Sequence, residues 1–203
     1  MQAINALKFI FSLCCLIITD SYAIVSSDHN SNASITLTEY YDYECPHCRH
    51  MEPIMNQLIK TEANLKVIYR PTPLLNSQSR LITSFALAAK QQDQWQNVHH
   101  ALMSCQMAPT IGDMKRIAQQ YELNFKKINH DMNQISIQQQ INHNISLAEH
   151  YALQRRISLP TLVFQIKNQP EKTLILKGEQ PYALLDAVMK QLNDDYAQTI
   201  QKS

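Results

Sequence analysis

Two cysteines two residues apart, Cys45-Pro46-His47-Cys48, stand between a run rich in β-branched and aromatic residues and a segment of helical periodicity. At the first turn of a helix, such a pair lies on one side with its sulfurs close enough to bond. The first sulfur also faces backbone N–H groups that have no helical partner, at the positive end of the helix dipole. Both features favour the thiolate, which is the reactive species. Cys45 is therefore the expected nucleophile, and Cys48, deeper in the turn, the buried resolving thiol. Pro46 suits the first helical position, where its missing N–H costs nothing. His47 can place a donor or a positive charge near the Cys45 sulfur, which stabilises the reduced form and makes the disulfide more oxidising. Glu44 opposes this unless its carboxylate points to water. The same residues could instead form a static pair, or a metal site built from Cys45, Cys48, His47 or His50. Zinc usually takes a second ligand pair at regular spacing, however, and none is evident.

The elements that must position this motif follow from patterning. Ile35 to Tyr41 reads as a strand running into Asp42, and a helix opens at Cys45 with Met51, Ile54, Met55 and Leu58 at helical spacing. Leu65 to Arg70 is a second strand. From Ser77 to about Ile157 the apolar residues keep the 3.6 period. Ile82, Phe85, Ala86 and Ala89 form a stripe continued by Trp95, Val98 and Leu102, Thr110 and Asp113 suit a capping pair, and Ile137, Ile141, Ile145, Ala148 and Ala152 mark another face. The run Gln138 to Gln140 reads as a solvated face. His99, His100 and Trp95 read as surface between the helical block and the rest of the chain, with no assigned role. Thr161–Phe164 and Thr173–Leu176 should pair as a hairpin around Asn168-Gln169-Pro170, before a last amphipathic helix entered at Pro181. The expected order is β, α, β, a helical block, β, β, α.

The totals set the context. The chain has 203 residues, a formal net charge of +1 and 45% hydrophobic residues, a balance that names no nucleic-acid or anionic-membrane partner. Residues 1–23 read as an export signal: Lys8 precedes an apolar run from Phe9 to Ile18 too short to span a bilayer, and Ser21 and Ala23 suit cleavage after Ala23. Cys14 and Cys15 lie in that run without the small preceding residue of a lipoprotein signal. Of the five cysteines, Cys45, Cys48 and Cys105 then remain, too few for a disulfide-stapled scaffold, and Cys105 reads as a free buried thiol. Residues 24–34 read as a flexible lead-in.

Tyr43-Glu44-Cys45-Pro46-His47-Cys48 followed by Glu52, together with the element order, resembles the DsbA-like family of bacterial periplasmic thiol:disulfide interchange proteins. The resemblance implies an α/β, thioredoxin-like fold with an all-helical insertion between the second and third strands. On this plan residues 35–76 and 158–203 form the thioredoxin-like domain and residues 77–157 the insertion. It also implies a disulfide oxidase in the periplasm acting on reduced exported proteins, reoxidised by a DsbB-type membrane quinone reductase, with no cofactor and no metal. Three further positions match. Glu39 sits where the family keeps a carboxylate beneath the redox centre to shuttle a proton to the buried thiol, and its parity with Ile35 and Leu37 puts it on the apolar face. Pro160 corresponds to the family's cis-proline, whose loop docks substrate. Glu52 matches a charged helix position and could equally be a solvated face. Leu159 stands where the best-known oxidases carry Val and isomerases often carry Thr, so the residues leave isomerase or reductase use open.

Overall fold

A computed structural model describes residues 25–26, 32–154 and 156–201. The signal segment proposed for residues 1–23 lies outside them. At the centre is β2 (Ile35–Tyr41), whose residues are buried on both faces except Thr36, as expected for a strand covered by helices on each side. It runs parallel to β3 (Leu65–Pro71) and antiparallel to β4 (Thr161–Ile166), with Ile35 opposite Leu65 and Ile166. The parallel pairing requires a crossover, which α1 (Pro46–Thr61) supplies.

The sheet order is β1-β3-β2-β4-β5. Val25–Ser26 is β1, antiparallel to β3 through Val25 with Tyr69 and Ser26 with Ile68. The expected lead-in of residues 24–34 is therefore corrected at these positions. A two-residue strand held by backbone hydrogen bonds leaves no side-chain pattern to read. β5 (Gln169–Lys177) is the edge strand of the expected hairpin, and its turn falls one residue earlier than the Asn168-Gln169-Pro170 reading. Asn168 takes the left-handed conformation (φ 63°), and Pro170 lies within the edge strand, where its missing N–H is tolerated.

Between β3 and β4 the chain is helical. Helix α2 (Ser77–Ala89) is capped by Asn76, whose side chain accepts from the amides of Gln78 and Ser79. The stripe read as continuous from Ile82 to Leu102 is broken by a 3-10 turn at Lys90–Gln92 and by Asp93 at φ 57°, so Trp95, Val98 and Leu102 belong to a second helix, α3 (Trp95–Met103). Helix α4 (Ile111–Gln120) starts with the expected capping box: Thr110 Oγ1 accepts from Asp113 N at 3.2 Å, and Asp113 Oδ2 accepts from Thr110 N at 3.0 Å. Helix α5 (Phe125–Asp131), too short to show a period, was not expected and is capped by Asn124. Helix α6 (Ile135–Glu149) ends before Ala152, and α7 (Tyr182–Ile200) closes the chain.

One cluster of buried residues joins these elements, running from Ile35 and Leu37 through Met51, Met55 and Leu58 of α1 to Phe85, Val98 and Leu102 of the helical block and Leu185 and Met189 of α7. Polar residues fasten α6 to it. Gln138, expected in a solvated face, is half-buried: it accepts from Arg80 and donates to Ser84 Oγ and Met132 O. Asn144 is buried on the same helix, donating to Pro71 O at 3.1 Å and accepting from Arg70 Nη1 at 3.2 Å. Asn144→Ala leaves the Pro71 carbonyl without that donor, an expected loss of about 1–3 kcal/mol. Thermal denaturation should show a midpoint lowered by roughly 3–8 °C with the cysteine chemistry unchanged.

Candidate active site

The redox motif hangs on a residue the sequence reading passed over. Asp42, directly after β2, is fully buried, and its carboxylate accepts from the amides of Glu44 (3.0 Å), Leu74 (2.9 Å) and Leu75 (3.2 Å). Its carbonyl accepts from Cys45 N at 3.0 Å. The Glu44 contact is the local turn that an Asp makes two residues on, so Asp42-Tyr43-Glu44 carried that much of the signal. The contacts to Leu74 and Leu75 come from the loop after β3, and no sequence spacing announces them.

Cys45 occupies the N-cap of α1 and Pro46 its first helical position. The Cys45 thiol is lowered from 9.0 to about 6. The largest contribution is a hydrogen bond from the Cys48 thiol, and burial opposes it. The backbone amides of Cys48 and His47 and the charge of His47 add to the lowering. Cys48 is fully buried, and burial together with the same sulfur–sulfur contact pushes its thiol well above the usual range. Across the sheet, the Leu159–Pro160 peptide is cis and the Leu159 carbonyl lies 3.7 Å from the Cys45 sulfur. Gly178 N, in turn, donates to Pro160 O at 2.7 Å, joining this loop to the one that follows β5.

Glu39 points into the core from β2 with a residue exposure of 1%, and neither carboxylate oxygen has a hydrogen-bond partner among the described residues. Burial first, then the charges of Glu52 and Cys45, raise its carboxyl well above the normal range, so it holds a proton.

His47 does not turn fully to Cys45. Its Nδ1 lies 3.0 Å from Glu179 Oε2, an exposed carboxylate in the loop after β5, with His50 Nδ1 3.4 Å from the same oxygen. The bond to Glu179 keeps His47 protonated to higher pH. Glu44, expected to oppose the thiolate, accepts from Ser79 Oγ at 2.6 Å on α2 rather than pointing to water.

Two expectations, on Glu52 and Cys105, are corrected here. Glu52 is buried rather than solvated, and its carboxylate meets His99, His100 and Asn56. His99 and Trp95, read as surface between the helical block and the rest of the chain, lie buried in that position, stacked 4.7 Å apart, with His99 against Tyr41 and Tyr43 and Trp95 against Tyr69. Cys105 is half-exposed rather than buried, with its thiol directed to Ala101 O at 3.4 Å, because it lies just beyond the last turn of α3.

The family model for thioredoxin matches residues 30–169, which include the cysteine motif, the helical block and the cis-proline strand. The chain belongs to the thioredoxin family. With that family goes thiol–disulfide exchange, and the asymmetric Cys45/Cys48 pair is the part of this thioredoxin-family chain that can carry it. Similar solved structures are a thioredoxin-like oxidoreductase from Silicibacter pomeroyi (TM-score 0.70, 23% identity, covering 91% of this chain and 95% of that one), the thiol-disulfide exchange protein alpha-DsbA2 from Wolbachia pipientis (0.72, 21%, 83% and 87%), and the catalytic domain of Proteus mirabilis ScsC (0.70, 18%, 86% and 91%). These show that the fold, helical insertion included, is the DsbA-type thioredoxin fold. A curated relative of different build is the Na(+)/H(+) antiporter NhaA 3 of Salinispora tropica, 27% identical over 97 residues that make up 47% of this chain. The match spans only 15% of the antiporter's length. Among the described residues no helix is long and apolar enough to cross a membrane.

Since the Cys48 thiol contributes more to the Cys45 thiolate than His47 does, Cys48→Ala should raise the Cys45 pKa more than His47→Ala, read from thiolate absorbance against pH. The folded pKa of Cys45 is depressed, so its thiolate contributes stability to the reduced protein that is fully present above 9 and lost as pH falls through about 6. The melting midpoint of the reduced form should therefore rise relative to the oxidised form between pH about 6 and about 9.

Proposed function

We propose that this chain is a disulfide oxidase for exported proteins, with Cys45 as nucleophile and Cys48 as resolving thiol. The observation that carries the reading is the asymmetry of the pair: Cys45 is lowered to about 6 while the thiol of Cys48 is raised. A stabilised thiolate in the reduced form makes the corresponding disulfide a stronger oxidant.

In the oxidised enzyme a substrate thiolate attacks the Cys45 sulfur. The Cys45–Cys48 bond breaks, the electron pair leaves on Cys48, and a mixed disulfide joins substrate to Cys45. The departing Cys48 sulfur is a poor leaving group as an anion and takes a proton, for which the protonated Glu39 carboxyl is the buried donor within electrostatic reach. A second substrate thiolate then attacks the substrate sulfur of the mixed disulfide, and Cys45 departs as the thiolate that the helix terminus, Cys48 and His47 stabilise. The substrate has lost two electrons and the pair has gained them. Pro46 begins the helix that presents the sulfur, and the Leu159–Pro160 loop offers substrate backbone a rim facing Cys45. Leu74 and Leu75, exposed on the loop bound to Asp42, add apolar surface for an unfolded partner.

The apolar run and Ser21/Ala23 support export with cleavage after Ala23, and hence a periplasmic site of action on reduced exported proteins. A DsbB-type quinone reductase supplies the oxidant that returns the pair to the disulfide. Residues 77–157 act as an inserted helical domain on a thioredoxin-like body formed by residues 35–76 and 158–203.

Cys48→Ser should accumulate mixed disulfides with exported proteins, Cys45→Ser should accumulate none, and Cys105→Ala should keep activity within about twofold, a change of under 0.5 kcal/mol in barrier. Equilibration with glutathione should place the Cys45/Cys48 couple above roughly −200 mV. A couple near the thioredoxin value of about −270 mV would assign the chain to reduction instead.

A further inference from the structure

Away from the two cysteines, one side-chain cluster has the form of a second site. Glu52 on α1 meets His99 and His100 on α3, and a ligand atom from each lies within 4.8 Å of the others. The two histidines present different ring nitrogens, which allows neighbours in sequence to converge. Glu52 Oε2 and His99 Nε2, both buried, face each other at 3.3 Å without the alignment of a hydrogen bond. His100 Nδ1 meets the other oxygen, Oε1.

The surroundings orient the donors. His99 Nδ1 lies 3.2 Å from the hydroxyls of both Tyr41 and Tyr43, so the remaining ring nitrogen is the one directed to Glu52. A metal-ligating histidine is usually held through its other nitrogen in this way. Asn56 Nδ2 donates to Glu52 Oε1 at 3.0 Å, which leaves Oε2 free to ligate. Trp95 stacks on the His99 ring and fixes its plane. A cavity of about 90 Å³ opens against this group, lined by Tyr69, Trp95, His99, His100 and Asn56, and provides both an entry path and room for a water ligand.

Two imidazole nitrogens, one buried and one half-exposed, converge on one carboxylate, and each contact needs a proton or a metal ion between the two atoms. Protons can serve, but the distances also suit a metal. With metal–ligand bonds of roughly 2.0–2.1 Å, the edge of a tetrahedron is about 3.3 Å, the separation between Glu52 Oε2 and His99 Nε2. An N,N,O donor set with one open position suits zinc and its borderline neighbours better than the hard cations. We infer that Glu52, His99 and His100 form a binding site for a zinc-type divalent cation, completed by water from the adjoining cavity, that ties α3 of the helical block to α1. The site is separate from the cysteine chemistry and does not rest on the oxidase reading.

The test uses the Cys105→Ala protein cleaved after Ala23, which removes Cys14 and Cys15, with Cys45 and Cys48 oxidised, so that no free thiol competes, and Zn²⁺ alone as the probe. Calorimetric titration should show one equivalent bound, with a melting midpoint that rises in zinc. His100→Ala, which alters a half-exposed residue and should fold, is expected to weaken binding at least tenfold and abolish the thermal shift, as should Glu52→Gln. His50→Ala, which removes a member of the exposed His47, His50 and Glu179 group, should bind as the parent does. Absence of stoichiometric binding, or binding lost in His50→Ala and kept in His100→Ala, overturns the inference.

Discussion

The chemistry depends on what caps the first turn of α1. A helix begins with amide groups that have no internal partner, and these are ordinarily met by the oxygen of a Ser, Thr, Asp or Asn side chain. Here the N-cap is Cys45, so the partial positive charge of that turn is offered to a sulfur. An anion becomes the favoured occupant, and a thiol is the group available to supply it. Cys48, one turn on, adds the strongest hydrogen bond to that anion and is itself shut away from water. Asp42 then fixes where the turn lies, because its carboxylate gathers amides from the two loops at this end of the sheet. With β2 flanked by β3 and β4, the Leu159–Pro160 segment must reach the same end and stand against the sulfur.

Two buried carboxylates on neighbouring elements show how environment separates like groups. Glu39 has no hydrogen-bond partner among the described residues, so burial dominates and the group keeps its proton. At Glu52, burial again opposes ionisation, but the charges of His99 and His100 and the hydrogen bond with His100 outweigh it and hold the carboxyl far below its ordinary range. The ionised Glu52 in turn helps keep Glu39 neutral, since its charge is among the causes of the raised Glu39 value. In the roles proposed above, the neutral residue moves a proton and the ionised one holds a cation. Environments that push paired titratable groups apart in this way are a recurring means of dividing acid and base roles.

The helical block does more than cover one face of the sheet. From α2 comes Ser79, which holds Glu44 away from the sulfur, and from α3 comes His99, which packs edge-on against Tyr41 and Tyr43. Tyr41 ends β2 and Tyr43 precedes the motif, so the aromatic contacts bind the block to the strand that carries Glu39 and leads to Cys45. From α6, Asn144 binds the end of β3. Each link is a polar group satisfied across elements, and each would be costly to leave unpaired in the core.

Sequence by itself determined most of the elements, though not β1, α5 or the break between α2 and α3, and it singled out the cysteine pair. Cysteine spacing at a helix start, period-2 and period-3.6 patterns, and the Thr110/Asp113 cap are local, carried by residues within a turn or two of one another, and the corresponding strands, helices and capping box are all present. Tertiary structure alone decided which polar groups meet. The sequence left Glu52 between a solvated face and a family position and gave no role to the 99–100 pair, because burial depends on which helix packs opposite. It placed His47 near the Cys45 sulfur, while the fold draws that ring to Glu179, 132 positions along the chain. Asp42 looked like the end of a strand until the loop carrying Leu74 and Leu75 folded onto it. Contacts of this kind join residues far apart in the chain, and their energies depend on the partner and on the water excluded, neither of which is written in local spacing.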